Sequence, residues 1–383
     1  MSSVAFGIAA LVVASGFTEG MFVYFREATI ESQYAHIQVT RPRFHEYGTS
    51  DPFRFLLPAE TGAKVAESAA HLRSLAPRLM LTGLISRGEA TVSFTGEGFD
   101  PAQDLTDDRA LRILQGRKLE PSDRNEVLLG RGLATLLGAG VGDNVVVLVD
   151  TPRGGVNALD ARVAGIFASV SKAYDDSALL VPIRMARKLL KVPGVHAWLV
   201  YLTDTRYTQM VAADLRQRLD PKSFEVRSWD QLAEFYTRAV SLLREQLGVV
   251  RFIVAAIILL GIGNTMMMTV VERTGEIGTS MALGVRRRTL LGQFLLEGAT
   301  IGVVGGLAGV AVAFLIGATI RLLDIAMPPP PGLSLGYIAD VLITVPIIVE
   351  ALLIAIATST LASLYPSWKA SRMVIVDAIR HNR

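Results

Sequence analysis

The 383-residue chain contains no cysteine. That excludes disulfides, thiolate metal sites and a cysteine nucleophile. It also lacks the P-loop pattern (Gly, four residues, then Gly-Lys-Ser/Thr), so no ATP site of that kind is expected. Neither GxSxG nor HExxH occurs. The five histidines, His36, His45, His71, His196 and His381, are scattered without ligand spacing, and no metal site is expected. The Gly-Arg-Gly at 130–132 is a lone glycine pair, read as a turn and not as a dinucleotide fingerprint. No catalytic residue and no cofactor of the chain's own emerge. Charge is sparse as well: charged residues make up 19% and the net charge is +3, without a basic run of the kind that nucleic acid attracts. What is abundant is apolar surface. Hydrophobic residues reach 51% and mean hydropathy is +0.40, too apolar for an ordinary soluble chain and too polar for one that is all membrane.

Four apolar stretches approach the roughly 20 residues that cross a bilayer. They are Val4 to Phe25 (interrupted by Glu19), Phe252 to Val271, the run from about Thr289 through Gly298 to Ile320, and about Val341 to Leu364 with Glu350 inside. Arg273 and Arg286 to Arg288 lie between the second and third. Lys369, Arg372, Arg380 and Arg383 follow the fourth, whereas the loop MPPPPGLSLGY has no Lys or Arg. Basic residues favour the cytoplasmic side, which puts that loop outside and both basic segments in the cytoplasm. The alternative for the first span is a cleaved signal peptide, against which stands the lack of a basic n-region.

The expected fold class is therefore membrane α-helical, four transmembrane helices, plus a large extracytoplasmic α+β domain. The expected division is 1–26, first span; 27–227, extracytoplasmic domain; 228–271, stalk helix continuing into the second span; 272–288, cytoplasmic coupling helix or loop; 289–323, third span; 324–340, short outer loop; 341–365, fourth span; 366–383, cytoplasmic tail. In the large domain, alternating or β-branched stretches read as strands at 35–39, 90–94, 144–149, 161–167, 198–202 and 224–227. Helical patterns read at 59–75, 132–137, 183–191 and 207–219, with two lobes meeting near 117–124. Ser228 and Gln231 match a capping box. Apolar residues then recur at three- and four-residue spacing through Leu247. No proline follows before Val271, so one helix of about 65 Å is expected there, with Gly248 as the alternative point of breakage.

Several polar and small residues stand out in or beside the spans, where an ionisable group is costly unless paired or hydrated. Glu297 reads either as interfacial or as functional, and Glu350 as facing a cavity or a neighbouring helix. Arg251 either snorkels or pairs with Glu350. Gly302, Gly305, Gly306 and Gly309 form two overlapping GxxxG pairs, suited either to intrachain packing or to a dimer contact. The segment ERTGEIGTSMALGVRRR is a short charged loop with apolar Ile277, Met281 and Leu283, fit either to dock on a partner groove or to remain a solvated loop.

ERTGEIGTSMALGVRRRTLLGQFLLEGATIGVVGG resembles the signature of FtsX/MacB-type (type VII) ABC permeases, and YPSWKASRMVIVDAIRHNR is similar to that family's ending. SGFTEGMFVYFREATIESQYAHIQVTRP, EVLLGRGLATLLGAGVGDNVVVLV and ARVAGIFASVSKAYDDSALLVPI resemble the lipoprotein-releasing branch. The resemblance implies a coupling helix that docks on a separate ATPase through Glu272, Arg273, Glu276, Ile277, Met281, Ala282, Leu283 and Gly284, and a family-typical place for Glu297. It implies a permease without its own ATPase site: ATP and Mg are bound by a dimeric partner ATPase. A second permease copy or a paralogue completes the transporter, and lipoproteins or other amphiphiles are the cargo. It also implies mechanotransmission, in which ATP-driven closure moves the outer domains, and an inner-membrane location. The other readings are an efflux permease working with a periplasmic adaptor and a scaffold that activates a cell-wall hydrolase. Two features depart from the family: only Met1 to Ser3 precede the first span, and Glu350 is not expected at its position.

Overall fold

A computed structural model describes residues 2–48, 50–102, 111–121, 125–329 and 336–372. Arg380, Arg383, His381, the Val376–Arg380 match, most of the proline-rich loop and residues 122–124 lie outside the described residues. The principal helices are α1 Ser2–Thr29, α2 Thr61–Ser68, α3 Arg131–Leu137, α4 Ile183–Leu190, α5 Thr208–Arg218, α6 Trp229–Leu232, α7 Glu234–Glu272, α8 Thr274–Ala282, α9 Arg287–Leu322 and α10 Val345–Ser371. The strands of the large sheet are β1 Ile37–Thr40, β2 Leu72–Arg87, β3 Ala90–Phe99, β4 Leu111–Gly116, β5 Glu126–Gly130, β6 Asn144–Asp150, β7 Val156–Ser169, β8 Ala178–Pro182, β9 Ala197–Leu202 and β10 Glu225–Ser228. Two units result. One comprises residues 1–23, 239–326 and 338–383, the other 24–238 and 327–337.

The second unit is built on a ten-stranded mixed sheet ordered β10-β1-β9-β2-β3-β8-β5-β7-β4, with β6 pairing β2 and β7. β2 is its longest strand and changes partners along its length. Residues 72–78 pair with β9, and residues 79–87 pair with β3. The sheet therefore divides along β2, not near 117–124 as expected. The β2–β3 hairpin closes at Arg87–Ala90 through Gly88 at φ +59°, the position that a two-residue hairpin turn reserves for glycine. α5 buries Thr208, Val211, Ala212 and Leu215, one stripe at i, i+3, i+4 and i+7.

Three expectations need correction here. The helix read at 59–75 ends at Ser68, and Leu72 already belongs to β2. The glycine pair at 130–132 is a strand-to-helix junction: a Cβ on Gly130 would collide with the Asp175 backbone, and one on Gly132 with Asp176. The Gln231 half of the capping box forms, Ser228 N–H donating to Gln231 Oε1 at 3.2 Å, but the helix it starts stops at Ala233 (φ −85°, ψ 61°). α7 restarts at Glu234 and runs unbroken past Gly248 to Glu272. Ala233 is buried there, Trp229 packs edge-on against Tyr236 across it, and Thr237 N–H still donates to the Ala233 carbonyl at 3.0 Å.

The first unit holds helices long and apolar enough to cross a membrane, and four such helices occur among the described residues. α9 and α10 pack along a seam of small residues. Cβ atoms added to Gly298, Gly302 and Gly306 would meet Ser363, the Ala355 carbonyl with Ile356, and Leu352 respectively, whereas one on Gly309 would meet Ala5 and Ile8 of α1. Gly305 is buried on the same helix. The GxxxG pairs thus serve intrachain packing. α10 begins four residues later than expected and continues to Ser371 through Pro366. Buried Ser359, Ser363, Ser367 and Ser371 repeat every turn along it.

Candidate functional site

The charged loop between the second and third spans folds into α8. Its C-terminus closes as a Schellman motif: Val285 N–H donates to the Ser280 carbonyl at 3.2 Å and Gly284 N–H to Met281 at 3.1 Å, with Gly284 at φ +93°. That left-handed position favours glycine. It also sets the direction in which Arg286 to Arg288 enter α9.

Four-residue spacing divides the predicted contact set into two faces. Ile277 and Met281 turn inward and are buried with Val270, Leu290, Phe294 and Ala370. They anchor the helix within the chain, which corrects the expectation that they line an outer contact face. Glu272, Arg273, Glu276, Ala282, Leu283 and Gly284 are exposed, and Leu283 is 84% exposed. Arg273 Nε lies 3.1 Å from Glu276 Oε2, and Arg273 Nη1 lies 3.8 Å from Glu297 Oε2 of α9. Glu297 therefore ties the start of the loop to the third span. Arg286, Arg287 and Arg288 are exposed at the N-terminus of α9, where the helix dipole disfavours cations. Their placement therefore answers to something other than helix stability.

A second constellation lies toward the opposite ends of these helices. Arg251 of α7 and Glu350 of α10 pair at 2.7 Å, the pairing that the sequence left open. Arg244 stacks over Phe22 at 5.8 Å. Sequence reasoning missed Arg244, which looks like one more polar position in an amphipathic helix.

The sheet unit grips the helical segment that leads into it. After α1 the helix widens into a π-turn, Ile30–Tyr34. Glu31 accepts two bonds from Arg73 Nη2 at 2.7 and 2.8 Å. Thr205 Oγ1 donates to Glu27, while His36 Nε2 sits 3.1 Å from the same hydroxyl. His36 Nδ1 accepts from Leu202 N–H at 3.2 Å. Burial drives the His36 pKa down to about 4, so the ring is neutral and donates through Nε2. His196 is also held near 4 by burial and bridges Met80 N–H and the Pro52 carbonyl. Both histidines are structural. Among the described residues no group of His, Asp or Glu is arranged to hold a metal.

Residues 1–218 match the MacB-like periplasmic core domain, and residues 248–375 match the FtsX-like permease C-terminal family. The lipoprotein-releasing system transmembrane protein LolC of Xylella fastidiosa is 23% identical, over 99% of this chain and 92% of LolC. The pyoverdine export ATP-binding/permease protein PvdT of Pseudomonas putida is 37% identical, over 43% of this chain and 23% of PvdT. Among solved structures, the periplasmic region of MacB from Actinobacillus actinomycetemcomitans covers 54% of this chain and 94% of that one, at 14% identity and TM-score 0.39.

Proposed function

This chain belongs to the FtsX/MacB-type ABC transporter permeases, and from that premise we propose that the outward face of α8 is where a separate ATP-binding subunit docks. The observation that carries this reading is the two-faced helix: Ile277 and Met281 hold it in place, while Glu272, Arg273, Glu276 and Leu283 stay exposed. A helix fixed on one side and bare on the other can receive force without coming loose. ATP and Mg would be held by the partner, and this chain would transmit the resulting motion along α7. The unbroken run of α7 from Glu234 to Glu272, about 58 Å at 1.5 Å per residue, supports such mechanotransmission. The arginines at 286–288 favour a cytoplasmic position for this end, in an inner membrane, with the sheet unit outside.

The cargo reading is lipoproteins or other amphiphiles, because the likeness to LolC spans nearly the whole of both chains. The working unit is two permeases, identical or paralogous, with an ATPase dimer. Affinity purification in mild detergent followed by mass spectrometry tests this. A P-loop ATPase with acylated proteins is expected. An ATPase with an adaptor and no acylated cargo would support efflux instead, and a copurifying cell-wall hydrolase without cargo would support a signalling scaffold. Absence of any ATPase would overturn the coupling reading.

A further inference from the structure

Glu19, Arg251 and Glu350, which coupling leaves without a role, come together with Arg244 toward the end of the membrane unit remote from Arg286 to Arg288. Ser15, Thr18, Glu19 and Phe22 repeat at i, i+3, i+4 and i+7 along α1, and Arg244, Leu247 and Arg251 at i, i+3 and i+7 along α7. Each set therefore forms one helix face. With Ile347 of α10 they line a single cavity of about 220 Å³.

The charges there do not simply cancel. Arg251 and Glu350 neutralise each other at 2.7 Å. The Glu19 carboxylate and the Arg244 guanidinium remain, and among the described residues neither forms an ion pair. One negative and one positive group thus face the same space without meeting, beside apolar Phe22, Leu247 and Ile347. An unpaired carboxylate within a span is costly unless something polar reaches it.

We propose that this cavity seats the headgroup of an aminophospholipid. The ammonium would bond to Glu19, with the Thr18 hydroxyl beside it. The phosphate would meet Arg244 and the N–H groups of Arg251 that Glu350 leaves unused. The acyl chains would continue along the apolar side chains. A lipid with an anionic headgroup alone would set a second negative charge against Glu19. A choline headgroup has no N–H to donate. The site would form whatever cargo the permease carries.

The test is native mass spectrometry of the full-length permease titrated with phosphatidylethanolamine, phosphatidylglycerol and phosphatidylcholine of matched acyl chains. Phosphatidylethanolamine is expected to bind about tenfold more tightly than either other lipid, the scale of one charge-assisted hydrogen bond. Glu19→Gln should bring the three to near parity, Glu19→Asp should keep the order, and Arg244→Gln should weaken all three alike. No preference in the unsubstituted protein, or a preference unchanged by Glu19→Gln, would overturn the proposal. Should Glu19→Gln fail to fold, the exposed Arg244 decides: if Arg244→Gln leaves all three affinities unchanged, no phosphate sits there.

Discussion

The two ends of the membrane unit both carry charge, yet they present it in opposite directions. At the arginine-rich end, Arg273 and Glu276 lie on the exposed face of α8 and Leu283 projects outward. At the other end, Glu19 and Arg251 line a cavity that three helices share. Arg251 and Glu272 are separated by 21 residues of one helix, about 31 Å at ~1.5 Å per residue. The difference teaches what each end can bind. Charge turned outward on a firmly anchored helix suits a protein surface, whereas charge turned inward beside apolar walls suits the polar part of an amphiphile.

Both ends rest on one scaffold, and the strongest way to break the contrast between them is to split the α9–α10 seam. Gly302→Leu would drive a side chain into the Ala355 carbonyl and Ile356 Cα, each 2.9 Å from where a Cβ would stand. A loss of about 3 kcal/mol or more is expected, visible as a collapse in the yield of monodisperse protein. Normal yield and melting temperature would mean that the seam is not close-packed. Next in size, Arg273→Glu with Glu276→Lys should cut ATPase stimulation by about tenfold or more, as expected when charge-assisted contacts are reversed, while lipid preference stays intact. Glu19→Gln should do the reverse, losing the lipid preference while ATPase stimulation stays intact. If both variants disturb both activities equally, the two ends are not separate sites.

A smaller effect is expected from Glu350→Gln, which leaves Arg251 without its partner. Both side chains are partly exposed, at 33% and 44%, so the cost is on the order of 1 kcal/mol, read as a melting temperature lower by a few degrees. Arg251→Gln in the same chain should recover part of it. The sheet unit supplies the last and gentlest contrast. His36 and His196 have pKa values near 4 in the fold against about 6.5 unfolded. Between those values the unfolded chain binds more protons, so stability should fall as pH drops from about 6.5 toward 4. His36→Gln should remove its share of that dependence and leave that of His196, as followed by thermal unfolding at stepped pH.

Much of this was legible in the residues, because spans and amphipathic helices announce themselves by length and period. Strand β2 was not. Its Pro77 and Gly83 look like breakers, and Val65, Leu72 and Leu75 fit helical spacing. The strand persists because β9, β3 and β6 satisfy its backbone. Buried β8, apolar at every position, has no period to read. Ala233 hid the break before α7, since alanine is the strongest helix former and nothing in its identity marks a ψ of 61°. At α8 the sequence picked out the segment, but not which of its apolar residues face inward. That depends on Val270, Phe294 and Ala370, which arrive from three other helices. At the cavity, Glu19 was legible only as an interruption of the first span and the Arg251–Glu350 pair only as one of two alternatives, and the fold brings Glu19 and Arg251 to one space.

The most direct test uses the absence of cysteine. Leu283→Cys would give the chain one exposed thiol at the C-cap of α8, and Ile277→Cys one buried thiol within that helix. Thiol cross-linking in native membranes, followed by mass spectrometry, should join Leu283→Cys to a P-loop ATPase and leave Ile277→Cys unlinked. Linkage of Ile277→Cys but not Leu283→Cys, or of neither, would contradict the outward face of α8 as the place where force enters.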